Sequence, residues 1–314
     1  MAGNIGGVLI SLIVLIVAGD QFVVGAARAA RALLVRPTIV GAVIGGLGAS
    51  LPALTVSSVA SIRGSTQIAV GNLVGSIVVN VSLALAIAAL VAPMRVDSRT
   101  VRREAPLSLA SVLLFALLLA GGLSVTKGVV LITALVLAAL ALVGTARLGS
   151  ARDELGVEVT RFFEQPKGRP TREIIRAVAG MSFMLAGAEV LVGSASRLAE
   201  RLSVSQEFIG LTIVAMGTSA PLVAIAVQAA RRGNHDIAVG SVLGSNLFIA
   251  LAGGALVTFL VGGTVSVVDT TAVWLMASVT VASWAFMARG SMLSRWEAAI
   301  LLIAYAATLP FFAR

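Results

Sequence analysis

The sequence predicts an all-α membrane protein: ten transmembrane helices in two inverted five-helix repeats. Three observations carry that prediction. Of 314 residues, 58% are hydrophobic and only 12% charged, at a mean hydropathy of +1.04, which leaves too little polar surface for a water-soluble domain. Apolar runs of about 20 residues, each able to cross a ~30 Å hydrocarbon core, recur along the whole chain. The chain also aligns with itself at an offset of 169 residues. Strand alternation is absent, which argues against an outer-membrane barrel. With no cysteine, disulfides, zinc–thiolate sites and iron–sulfur clusters are excluded.

Polar breaks divide the apolar runs in order. Spans are expected at 5–30, 38–62, 67–92, 105–121 and 126–146, and again at 173–200, 206–231, 236–262, 268–287 and 296–312. No basic residue precedes the first run, so it reads as a retained span and not a cleaved signal. The arginines at 28, 31 and 36 close the first span, RGST closes the second, and Arg95 follows the third. Gly121-Gly122 separates the fourth from the fifth, and Arg231-Arg232-Gly233 separates the seventh from the eighth. Residues 1–146 are the expected first membrane repeat, 147–172 a charged cytoplasmic linker, and 173–314 the second, inverted repeat. With loops alternating between sides, 18 of the 23 Lys and Arg fall on one side and five on the other. Basic loops stay cytoplasmic, so both termini are expected outside, in a multi-pass protein of the cell (inner) membrane. The net charge of +9 then reports topology and contact with anionic lipid. Membrane lipids are expected partners and nucleic acid is not.

The repeat is specific. Gly48 meets Gly217 at the 169-residue offset, Ser50 meets Ser219, Pro52 meets Pro221, and the acids Asp20 and Glu189 coincide. RGSTQIAVGNLVGS (63–76) meets RGNHDIAVGSVLGS (232–245). Five spans per half force the second half to enter the membrane from the opposite side. Inverted repeats with interrupted helices at matching places are the signature of secondary transporters, with the site at mid-membrane. Pro52 and Pro221 lack an N–H and clash with the turn before them, so each helix is expected to break there, aided by Gly48 and Gly217.

The pairing of G-[AT]-S-x-P with I-A-V-G-x-x-x-G-S resembles the α-repeats of the calcium:cation antiporter superfamily, the sodium/calcium exchangers and their prokaryotic relatives. The resemblance covers nearly the whole chain. It implies the exchanger-like fold, a mid-membrane ion site where the second and third helices of each half meet, and alternating access by sliding of the first and sixth helices. Carried over by position, the implied ligands are Ser50, Ser76 and Asn80 from the first half and Thr218, Ser219, Ser245 and Asn246 from the second. Asn72 and Ser241 fall where the family usually has Asn. The family motif continues with a glutamate after the proline, and here those positions hold Ala53 and Leu222.

Calcium takes about 6–8 oxygen ligands, and its affinity follows the anionic ones. A neutral oxygen cage suits a monovalent cation or a proton better, and leaves a neutral or anionic solute open. The expectation is therefore a secondary active cation antiporter without calcium specificity. No resident cofactor is expected, only bound sodium or another cation as cargo. The alternative is a non-transporting membrane scaffold or sensor that keeps the exchanger fold. No nucleophile–base or metal pattern lies within the spans, so an enzyme is not expected. Asp20 and Glu189 are secondary candidates, because acids inside spans are functional by default, although each could equally cap or pair near the interface. His235, beside Asp236, reads as a solvated or capping residue.

Overall fold

The computed structural model describes residues 2–32, 37–95, 99–148, 170–265, 269–289 and 292–312. Linker residues 149–169, Arg36 and Arg314 lie outside them. In hydrocarbon each backbone group must find its partner within its own segment, and the apolar runs accordingly fold as rods. Among the described residues there are ten: helix 1 (Ala2–Ala32), helix 2 (Pro37–Ile62), helix 3 (Thr66–Val91), helix 4 (Arg99–Ala120) and helix 5 (Val125–Leu148) in the first half. The second half holds helix 6 (Pro170–Leu202), helix 7 (Gln206–Arg231), helix 8 (His235–Val261), helix 9 (Thr270–Arg289) and helix 10 (Arg295–Phe312). Eight qualify as spans by length and composition, and helices 2 and 4 add the shorter apolar stretches Leu47–Ile62 and Glu104–Ala120.

Helices 3 and 8 are the most enclosed, and they pack with helices 2 and 7 to form the centre. Gly71 and Gly75 of helix 3 lie directly on the helix 7 backbone; a Cβ at Gly71 would sit 2.9 Å from the Glu207 carbonyl, and one at Gly75 would strike that of Leu211. Helix 5 runs along the outside. Two tight turns join the central helices, each with a glycine in left-handed conformation, Gly64 (φ 74°) and Gly233 (φ 76°). They coincide at the repeat offset, and there a side chain would be strained.

Helices 1 and 6 form an antiparallel pair, the most extensive helix contact among the described residues, and pack together against helix 2. Small residues let their backbones touch. A Cβ on Gly25 would lie 2.7 Å from the Ala177 nitrogen, and one on Gly180 would lie 2.6 Å from that of Phe22. Gly7 faces Ser194, and Gly187 faces Val14 and Leu15. At one end buried Glu173 draws in Arg28 from helix 1 (3.6 Å) and Arg176 from its own helix (3.8 Å). A buried carboxylate so held costs several kcal/mol to strip of its partners, so the two helices are coupled as one body.

Two findings refine the all-α expectation. Two-residue strands pair antiparallel, Met94 with Leu293 and Arg95 with Met292, and Leu123 bridges Val265. At the repeat offset Leu123 falls on Met292, so the two bridges are mates at opposite ends of the bundle. The second finding corrects the expected helix breaks at Gly48/Pro52 and Gly217/Pro221. Helix 2 runs α-helical through Pro52, and helix 7 is α-helical from Ala215 through Pro221 to Arg231. Each proline removes a single N–H, whose lost acceptor is the carbonyl of the glycine four residues earlier. The irregularity lies elsewhere, in π-helical turns at Val79–Ala84 of helix 3, Ile249–Gly253 of helix 8 and Gly210–Val214 of helix 7. The first two are themselves mates at the repeat offset, and π turns inside helices gather at functional sites.

Candidate ion-binding site

Two uncharged networks form where helices 2, 3, 7 and 8 meet. In the first, Ser50 Oγ of helix 2 donates to Ser245 Oγ of helix 8 (2.9 Å) and lies 3.2 Å from the Ser245 carbonyl. Asn80, lifted into place by the π turn of helix 3, donates through Nδ2 to Asn246 Oδ1 (2.8 Å) and reaches Ser245 Oγ at 3.5 Å. All four residues are buried. Each amide keeps one buried atom without a hydrogen-bond partner among the described residues, Asn80 Oδ1 and Asn246 Nδ2. Such orphans are costly in a low-dielectric interior and call for a polar guest.

The second network centres on Asn72. Its Nδ2 donates to the Ala53 carbonyl (3.0 Å) and to Ser57 Oγ (2.9 Å), and its Oδ1 accepts from Thr218 Oγ1 (3.0 Å). Ser76 Oγ stands 3.4 Å from the same threonine oxygen. Of the residues named from sequence, Ser50, Ser76, Asn80, Thr218, Ser245, Asn246 and Asn72 thus enter one network or the other. Ser219 is buried but makes no side-chain hydrogen bond to either. Ser241 turns back onto its own helix, donating to the Ala238 carbonyl (3.0 Å).

Ala53 and Leu222, at the motif positions after the prolines, are buried among apolar side chains, 2% and 1% exposed. Among the described residues no Asp or Glu hydrogen-bonds to either network. Asp20 and Glu189 lie away from it. Asp20 is exposed and accepts from Gln21 Nε2 (3.1 Å), whereas Glu189 Oε1 is gripped by Arg63 through both Nε (2.7 Å) and Nη2. The motif glycines face helix 1: Gly217 abuts Leu12, and a Cβ at Gly48 would meet Val23 at 2.9 Å. Their smallness serves close approach of helix 1 to the site.

Sequence reasoning missed Ser57, Glu173 and Arg63. Ser57 lies two turns from Ser50 on the same face of helix 2, a spacing that marks it in retrospect. Glu173 sits at a span end, where an acid looks solvated. Its burial depends on Arg28, remote in sequence.

The sodium/calcium exchanger protein family model matches residues 3–144 and 173–313. The chain is 34% identical to CaxA of Alkalimonas amylolytica over 307 residues, 95% of each protein. It is 28% identical to the sodium/calcium exchanger MaX1 of Methanosarcina acetivorans, across 96% of each. Among solved structures, the sodium-calcium exchanger NCX_Mj superposes with a TM-score of 0.66 at 28% identity, covering 98% of both chains. MaX1 and NCX_Mj are sodium/calcium exchangers, CaxA is named an antiporter, and the family match runs through both halves. The chain therefore belongs to the sodium/calcium exchanger protein family, as a multi-pass membrane antiporter fold and not an enzyme.

Proposed function

We propose that this chain is a secondary active cation antiporter that carries a monovalent cation or protons in place of calcium. One observation carries the reading: among the described residues, the polar side chains that meet between helices 2, 3, 7 and 8 are all neutral, and the two motif positions that would supply carboxylates hold buried Ala53 and Leu222. A lone charge at bilayer centre costs ~2.5 kcal/mol or more. A divalent ion there would lack any fixed countercharge, whereas a monovalent ion of similar size carries about a quarter of the desolvation cost, which grows as the square of the charge. The ligand atoms proposed are the orphan Asn80 Oδ1, with Ser50, Ser245, Ser76 and Thr218 oxygens around it. Alternating access is proposed to follow from sliding of the helix 1–helix 6 pair over Gly48 and Gly217. With the charge asymmetry of the loops, the linker is placed in the cytoplasm and the protein in the cell (inner) membrane.

Counter-flow in proteoliposomes tests this, with sodium, potassium, proton and calcium gradients imposed in turn. The expected result is exchange driven by a monovalent gradient. Sodium-driven calcium uptake at ordinary exchanger affinity would overturn the substrate assignment. No flux with any ion would replace transport with the scaffold reading.

A further inference from the structure

Arg63 and Glu189 join the helix 1–helix 6 pair to the central helices. Arg63 follows helix 2 in the central bundle, held by the Gly64 turn, and Glu189 belongs to the helix 1–helix 6 pair. Gly193 makes room for the contact, since a Cβ there would lie 3.1 Å from Arg63 Nη1. Both partners of this ion pair have mates at the repeat offset: Arg63 corresponds to Arg232, and Glu189 to Asp20. The mates are not paired. Among the described residues, Asp20 has only Gln21 as a side-chain partner, and Arg232 is exposed and has no ion-pair partner.

The geometry lets one pair form at a time. Contacts between helices 1 and 6 set Gly7 against Ser194 and Gly25 against Ala177, which brings Glu189 level with residue 12. Asp20 then lies about eight residues further along, roughly 12 Å at 1.5 Å per residue. The pair moves as a unit, so both carboxylates shift together. Arg63 and Arg232 mark opposite ends of the central bundle. A shift that carries Glu189 away from Arg63 carries Asp20 toward Arg232.

We propose that Arg63–Glu189 and Asp20–Arg232 are alternating latches: the first holds the helix 1–helix 6 pair in the position seen here, and the second holds it after the pair slides to the opposite position. The inference rests on the transporter reading for its purpose, but concerns conformation and not cargo. Inverted repeats exchange their conformations between the two states, and the second latch is the first as that exchange would rebuild it. The latches are not identical. Aspartate reaches one methylene less than glutamate, and Val24 occupies the place corresponding to Gly193. The state seen here is accordingly the favoured one. Partial exposure, 41% for Arg63 and 49% for Glu189, keeps the bond weak enough to break in each cycle.

The chain has no native cysteine, so Ala53→Cys serves as an access reporter, labelled by a membrane-impermeant thiol reagent from each face of proteoliposomes. Neutralising one latch should change the ratio of labelling rates from the two faces by up to about fivefold, the upper worth of an exposed ion pair. Arg63→Gln and Glu189→Gln should move it one way, Asp20→Asn and Arg232→Gln the other. The exchange Arg63→Glu with Glu189→Arg should restore the starting ratio. In a second measurement, a short cleavable bis-thiol linker should join Asp20→Cys to Arg232→Cys, residues that do not touch in this state. Shifts in the same direction from both latches, or no shift with no cross-link at Asp20/Arg232, would overturn the proposal. Labelling reads position without requiring flux. A chain that switches but carries no ion would refute the transport reading alone, and one that carries ions without opposed shifts would refute the latch alone.

Discussion

Asn72 holds three hydrogen bonds with one side chain, to the Ala53 carbonyl and Ser57 of helix 2 and to Thr218 of helix 7. It thus ties helix 3 to both helix 2 and helix 7, whereas Ser76 makes one long contact with Thr218. Interhelical hydrogen bonds in membranes average ~0.6 kcal/mol, so Asn72→Ala is expected to cost about 2 kcal/mol and Ser76→Ala under about 0.5. Equilibrium unfolding in mixed micelles checks the contrast, and equal losses would contradict it. Part of this set was legible from sequence because the repeat marks Ser50 with Ser219, Ser76 with Ser245 and Asn72 with Ser241; Asn80, Asn246 and Thr218 fall opposite Ile249, Ile77 and Ala49 and were reached through the family resemblance. The partners were not. Ser219 and Ser241 have the same sequence credentials as Ser50 and Asn72, yet neither joins a network, because the two halves adopt different conformations in one state. Symmetry in sequence is not symmetry in a single structure.

At the scale of elements, the helix 1–helix 6 pair depends on backbone contact at glycine. Gly180→Val would drive a side chain into the Phe22 nitrogen and Ala18 carbonyl, 2.6 and 2.8 Å from the first added carbon. Overpacking of this kind costs about 1–3 kcal/mol, and the separated pair should also lose counter-flow. Gly6→Ala on helix 1 has open space around it and should leave thermal stability and flux unchanged. Thermal denaturation with parallel flux assays distinguishes the two. The rods themselves were readable because every one ends at a charge cluster, a glycine pair or a proline. The π turns were not, since an extra residue per turn alters neither composition nor period enough to detect. Their effect is local: Asn80, inside one of them, meets Asn246 just ahead of another.

At the scale of the molecule, the question is whether the exchanger scaffold still accepts calcium when its charge is restored. Paired Ala53→Glu and Leu222→Glu are expected to create calcium binding that the parent lacks. At a hundredfold excess over the dissociation constant that would add about 2.7 kcal/mol of stability, visible as a calcium-dependent rise in melting temperature. A parent chain already stabilised by calcium would reverse the expectation. The duplicated topology was open to reading because five spans per half dictate inversion. The cargo was not, because it depends on what two small positions lack.

That neutrality has an electrical consequence. A cage without fixed charge takes on the valence of whatever occupies it, so each crossing of an exchange moves just the charge of the ion it carries. At about 2.3 kcal/mol per elementary charge per 100 mV, voltage acts on the two crossings in proportion to the ions carried, and exchange of equal charges is electrically silent. An exchanger built around two carboxylates would move its own fixed charge together with that of the ion. In this chain, the resting potential pulls on the passenger and not on the vehicle.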